Sequence, residues 1–127
     1  MPIISVDMDE QSDFFTSELG QAVLAEMAKS DSLDTLKAVV SCIHTSKETI
    51  AAIVERIMVT EYDKYDNNDD AFGIIARAAE NSNTDTDTLD KVYNFAVKLI
   101  TKYQVNSVTY RIAMNIFECL AINHNTS

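Results

Sequence analysis

Two groups of side chains in this 127-residue chain are of types that bind metal ions. The first lies in Glu61–Gly73, EYDKYDNNDDAFG, where Asp66, Asn68 and Asp70 alternate like the leading oxygen ligands of a calcium loop. Such a loop needs Gly at its sixth position and a carboxylate at its twelfth. Counted from Asp66, these positions hold Ala71 and Arg77, and a cation cannot ligate a cation. Counting from Asp63 puts Tyr65 third, and counting from Asp85 puts Leu89 fifth, so neither register works. The second group is Cys42, His44, Cys119 and His124, four ligands suited to tetrahedral zinc. No finger or ribbon spacing accompanies them, and a one-residue gap turns Cys42 and His44 apart on a helix. They read as two small core thiols and two imidazoles at helix ends. No cofactor is implied.

Enzymatic patterns are equally absent from the sequence. Gly20 and Gly73 are the only glycines, so there is no glycine-rich phosphate loop. Neither H-E-x-x-H nor the E-x-x-H of di-metal bundles occurs. No spacing joins a Ser or Cys to a His as nucleophile and base. The chain is expected not to be an enzyme, and a site assembled from distant positions is the third-ranked reading.

The local account of Glu61–Gly73 is a helix junction. Asn67 and Asn68 tolerate left-handed and capping conformations. Asp69 and Asp70 then stand in a first turn, where negative charge is favoured by about 0.3–1 kcal/mol each.

Charge is the more unusual property. The net charge is −10. Residues 1–90 carry 19 acidic and 6 basic side chains, whereas residues 91–127 carry only Glu118 against Lys91, Lys98, Lys102 and Arg111. This average field repels duplex DNA and anionic lipid. Four cations spread over two helices make no nucleic-acid site, so direct nucleic-acid binding is not expected.

The elements that must position these residues are helical. Two glycines and one proline, at position 2, are too few for the turns of a sheet protein. Apolar residues, 46% of the chain, recur at helical spacing and suffice for one core. Helices are expected over about 12–29, 33–43, 45–65, 70–80, 87–103 and 107–122. Ser12, Ser30–Ser32, Thr45, Asn67–Asp69 and Asn106 are their expected caps, with Thr45 and Glu48 forming a capping box. Leu19, Ile43, Tyr93 and Val108 are placed on inward faces. Segment Asn81–Thr86, NSNTDT, is the clearest loop. SLDTLKAVV at 32–40 faintly echoes TLDKVYNFA at 88–96, short of a repeat.

The expected fold is therefore all-α: a compact bundle of about six helices with short connections, one domain over 1–127. Residues 1–10 read as a leader or a short extended arm, and 123–127 as a frayed tail. No apolar run reaches the length of a membrane span. The start lacks the basic region of a secretory signal, and two cysteines make no disulfide framework. A cytoplasmic location is expected.

The expected function is regulatory protein binding. An acidic face, carried by Glu61, Asp63, Asp66, Asp69, Asp70, Asp85 and Asp87, docks on a basic partner protein. The partner is of the nucleic-acid-handling kind, and the chain acts as inhibitor or nucleic-acid mimic. The alternative is an assembly subunit, a homo-oligomer formed through apolar faces of the last two helices. The ligand pattern around Asp66 generates one test. Millimolar calcium should leave the melting temperature unmoved, and a rise of several degrees would restore the calcium loop.

Overall fold

The computed structural model describes residues 12–125. The expected N-terminal arm and residues 126–127 lie outside them. The described residues form eight α-helices: α1 Ser12–Thr16, α2 Glu18–Met27, α3 Leu33–Ser41, α4 Lys47–Glu55, α5 Tyr62–Tyr65, α6 Asp69–Glu80, α7 Thr86–Lys102 and α8 Val108–Ile122. A single π-helical turn, Arg56–Thr60, joins α4 to α5. The all-α expectation holds, and the increase from six helices to eight comes from two local breaks.

The first break is at Ser17, which ends α1 and caps α2 by accepting a hydrogen bond from the Gly20 amide at 3.0 Å. The expected single helix over 12–29 is therefore two. Gly20 permits it, because a Cβ there would stand 1.9 Å from the Phe14 carbonyl oxygen. The break re-phases α2, so Leu19 points outward instead of into the core.

The second break divides the expected helix over 45–65. In an unbroken helix Ile57 and Tyr65 would diverge by about 80°; one residue inserted by a π turn brings them within about 20°. Both are buried. Arg56 anchors the turn through Nη1 to the Ala28 carbonyl at 3.0 Å, Nη2 to Asp31 at 2.8 Å and Nε to Glu61 at 3.0 Å.

Capping follows the expected chemistry with two one-residue corrections. Ser46, not Thr45, caps α4, which removes the expected Thr45–Glu48 capping box, and Ser107, not Asn106, caps α8. Thr45 is instead fully buried and donates its hydroxyl to the Val39 carbonyl at 2.6 Å. Ile43 lies past the end of α3 and Val108 is the first residue of α8, so both are exposed. Tyr93 lies at the edge of the α7–α8 hairpin, half-exposed, with its ring edge-on to Phe117 at 5.7 Å.

Helix α6 is the centre of the molecule. Ala71, Phe72, Ile74, Ile75, Ala76, Ala78 and Ala79 are all buried, so it is covered on most of its circumference. Its neighbours are α3 on one side and α8 on the other, and its many alanines let both approach closely. The Thr109 hydroxyl at the start of α8 hydrogen-bonds Asp69 at the start of α6, and the turns that end these helices also adjoin. Helices α6 and α8 are therefore parallel. Helix α7 returns antiparallel against α8.

Three turns, beginning at Cys42, Asn81 and Asn123, close the ends of α3, α6 and α8 and stack on one another. Asn81 Nδ2 donates to the Val40 and Cys42 carbonyls at 2.8 and 3.0 Å. Asn83 Nδ2 donates to those of Ile43 and Thr45 at 2.7 and 3.0 Å. One level on, Asn123 Nδ2 reaches Ala79 and Asn81 at 2.8 and 3.0 Å, and Asn125 Nδ2 reaches Ser82 and Thr84 at 2.7 and 2.9 Å. Within each of the last two turns the first Asn oxygen accepts the amide of the second. Thr84 repeats the bond of Thr45, donating to the Ala78 carbonyl.

One sequence expectation changes here. Asn123 and Asn125, in the segment expected to fray, hydrogen-bond the turn before them. The repetition pairs α3 with α6 and α8, not with α7 as the SLDTLKAVV echo suggested. Asn81→Ala should destabilise the protein by about 2–4 kcal/mol, since two buried carbonyls lose their donors. Asn106→Ala, at an unused cap position, should stay within about 0.5 kcal/mol. Urea unfolding midpoints of the two variants check this.

Candidate protein-binding groove

A groove of about 500 Å³ runs across α3, α6 and α8. Leu33, Gly73 and Ile112 contribute to its lining, with Asp34, Asp69, Asp70 and Glu80 as its carboxylates and Lys37 and Arg77 as its cations. Its position follows from the stack: three helices side by side leave a trough over the middle one. At Gly73 a Cβ would meet nothing within 4 Å, so the floor there is open space. Arg77 leans on Glu80 at 3.8 Å, a long and exposed contact worth little. Asp34 and Asp70 are exposed and have no hydrogen-bond or ion-pair partner among the described residues.

The seven carboxylates singled out in the sequence fall into two groups. Glu61, Asp63, Asp66, Asp69 and Asp70 cluster around the start of α6, while Asp85 and Asp87 lie beyond its end. A twelve-residue helix separates them by about 18 Å. They do not form one continuous face.

Several of them are also engaged internally. Asp66 accepts hydrogen bonds from Lys102 Nζ at 2.8 and 3.0 Å and from the Tyr103 hydroxyl at 3.3 Å. Glu61 holds Arg56. Burial opposes the guanidinium's charge, but the Glu61 hydrogen bond and nearby negative charge outweigh it and raise its pKa. Asp69 takes the Thr109 hydroxyl, and Asp85 caps α7 through the Thr88 amide at 2.9 Å. Asp63, Asp70 and Asp87 remain exposed without a partner among the described residues. Asp63 and Glu61 border a separate depression that also contains Lys64 and Lys98.

Two of the four cations at the basic end of the chain, Lys98 and Lys102, are similarly committed. Lys102 serves Asp66, which raises the pKa of the ammonium, and Lys98 stands 4.4 Å above the Tyr62 ring. The junction reading of Glu61–Gly73 holds in detail. Asn67 adopts φ 62°, and Asn68 caps α6 by accepting from the Ala71 amide at 3.1 Å.

Cys42 and Cys119 are buried free thiols, and burial pushes the Cys119 thiol up. Among the described residues, no three His, Cys, Asp or Glu side chains are grouped to hold a metal ion. No helix among them is long and apolar enough to cross a membrane.

Sequence reasoning missed the four ladder asparagines. The signal was present: N-S-N-T at 81–84 recurs as N-H-N-T at 123–126. No protein-family model, curated protein or solved structure matches the chain.

The Lys102 hydrogen bond holds the Asp66 carboxyl below its ordinary value of 3.8, and the Thr88 hydrogen bonds do the same for Asp85. A depressed folded-state pKa contributes stability that is present above the unfolded value and lost as pH falls through the folded one. Stability should therefore decline as pH drops below about 3.8. Asp66→Asn should lower stability at neutral pH and flatten that acid limb, as read by thermal melts at stepped pH.

Proposed function

We propose that this chain is a regulatory protein-binding module whose groove over α3, α6 and α8 takes a basic, extended segment of a partner protein. The observation that carries this is the groove itself: a concave surface on rigid helices, with four carboxylates against two cations. Asp34 and Asp70 are solvated and ready to pair, and charge of this sign steers a basic ligand toward the trough. The basic tails and faces of nucleic-acid-binding proteins have the required chemistry.

A groove fits this role better than a nucleic-acid mimic does. A mimic needs a continuous row of free carboxylates, and here Asp66, Glu61 and Asp85 are occupied by Lys102, Arg56 and the α7 cap. The alternative of self-association draws on the last hairpin, where Tyr93 is 52%, Met114 44% and Ile122 74% exposed.

Fluorescence anisotropy with a labelled Lys/Arg-rich peptide tests the groove. Binding should weaken at least about tenfold between about 50 and 300 mM salt, because exposed charges are screened over that range. The double variant Asp34→Asn/Asp70→Asn should weaken it comparably at low salt, while Asp63→Asn/Asp87→Asn should not. Salt-indifferent binding, or equal effects of the two variants, would remove the groove as the site.

A further inference from the structure

We propose that the C-terminal end of the turn stack is a docking surface for a further helical hairpin, one whose second helix ends in an Asn-x-Asn turn. The basis is the continuity of the internal interface. The first turn presents the carbonyls of Val40, Cys42, Ile43 and Thr45, and the second turn's asparagine amides take all four. The second turn presents those of Ala79, Asn81, Ser82 and Thr84, and the third turn's amides take them.

The same step of 42 residues, from Asn81 to Asn123, leads next to the carbonyls of Ala121, Asn123 and His124. No side-chain amide among the described residues reaches these three.

The two ends of the stack are chemically different. The first turn has Cys42 and His44 where the later turns have asparagines, so it offers no amide pair. Gln21 of α2 closes over it, donating to the His44 carbonyl at 2.7 Å. At the third turn the Asn125 carbonyl takes the Thr86 hydroxyl at 2.8 Å, while those of Ala121, Asn123 and His124 meet no side-chain amide among the described residues. On the last hairpin Tyr93, Met114 and Ile122 are exposed, with the exposed Glu118 between Met114 and Ile122 on α8.

These facts select the occupant. A second copy has no spare Asn-x-Asn turn, because its Asn81, Asn83, Asn123 and Asn125 are all committed to its own turns. The partner must bring two amide donors, two residues apart, at the end of a helix that lies along α8 as α8 lies along α6. A helix running back before it would cover Tyr93, Met114 and Ile122. This surface is separate from the acidic groove and does not depend on its charge.

The test extends the full chain after Ser127 with a second copy of residues 86–127. That supplies an α7-like helix and an α8-like helix with its Asn-x-Asn turn in register. Tethering removes the need for high concentration. The extended protein should be a monomer that melts in one cooperative transition about 5 °C or more above the parent. Asn123→Ala/Asn125→Ala made only in the added copy should abolish most of that rise.

Three results would each overturn the proposal. One is an added segment that is cleaved by protease while the parent's melting temperature is unchanged. Another is a full rise retained without the added asparagines. The third is a dimer of the unextended chain, broken by Met114→Asp, which would assign the face to a second copy.

Discussion

Helix ends pose a problem that the rest of this molecule is arranged around. Each helix leaves its last four carbonyls without intrahelical partners. When α3, α6 and α8 pack side by side with their ends aligned, three sets of such carbonyls meet in a partly buried region. Water cannot serve them all, and an unsatisfied buried carbonyl costs about 1–3 kcal/mol. An asparagine suits the position because its amide nitrogen carries two donors and its oxygen still accepts. One residue can span two carbonyls of the neighbouring turn and brace its own.

This bonding sets the registry of the stack. Because the amides of one turn must meet the carbonyls of the turn before, α8 cannot slide along α6 without breaking four hydrogen bonds together. The Thr109–Asp69 contact holds the opposite ends. With both ends fixed, the trough over α6 has a defined width, and Asp34 and Asp70 are held facing it from adjacent helices. In this way the ladder, although it contributes no groove residue, determines the groove.

The distribution of charge shows a second level of organisation. A net charge of −10 suggests a diffuse acidic coat. Instead, individual carboxylates are distributed between jobs: ion pairing at Asp66 and Glu61, capping at Asp85, bracing at Asp69. Exposed pairs such as Lys102–Asp66 add little energy alone, yet here Tyr62 and Tyr103 join the contact and secure the base of α5 against the end of α7. What is left unpaired after these assignments is a better guide to a binding surface than the total charge.

The residues alone determined the helical class, most helix limits, the junction at Asn67–Asn68 and the failure of the calcium pattern. All of these rest on interactions within a few positions: capping, periodicity and side-chain type at fixed spacing. The breaks at Ser17 and Arg56 were not legible, because they depend on Gly20 meeting the Phe14 carbonyl and on Ile57 and Tyr65 sharing one core. The sharing of the carboxylates was not legible either, since Asp66 and Lys102 are 36 residues apart. The repeated N-x-N-T was visible as letters but had no meaning until the turns were stacked. Only the tertiary structure decided which carbonyls those amides would face, because hydrogen bonds between turns some forty residues apart are made by packing and leave no local trace in the chain.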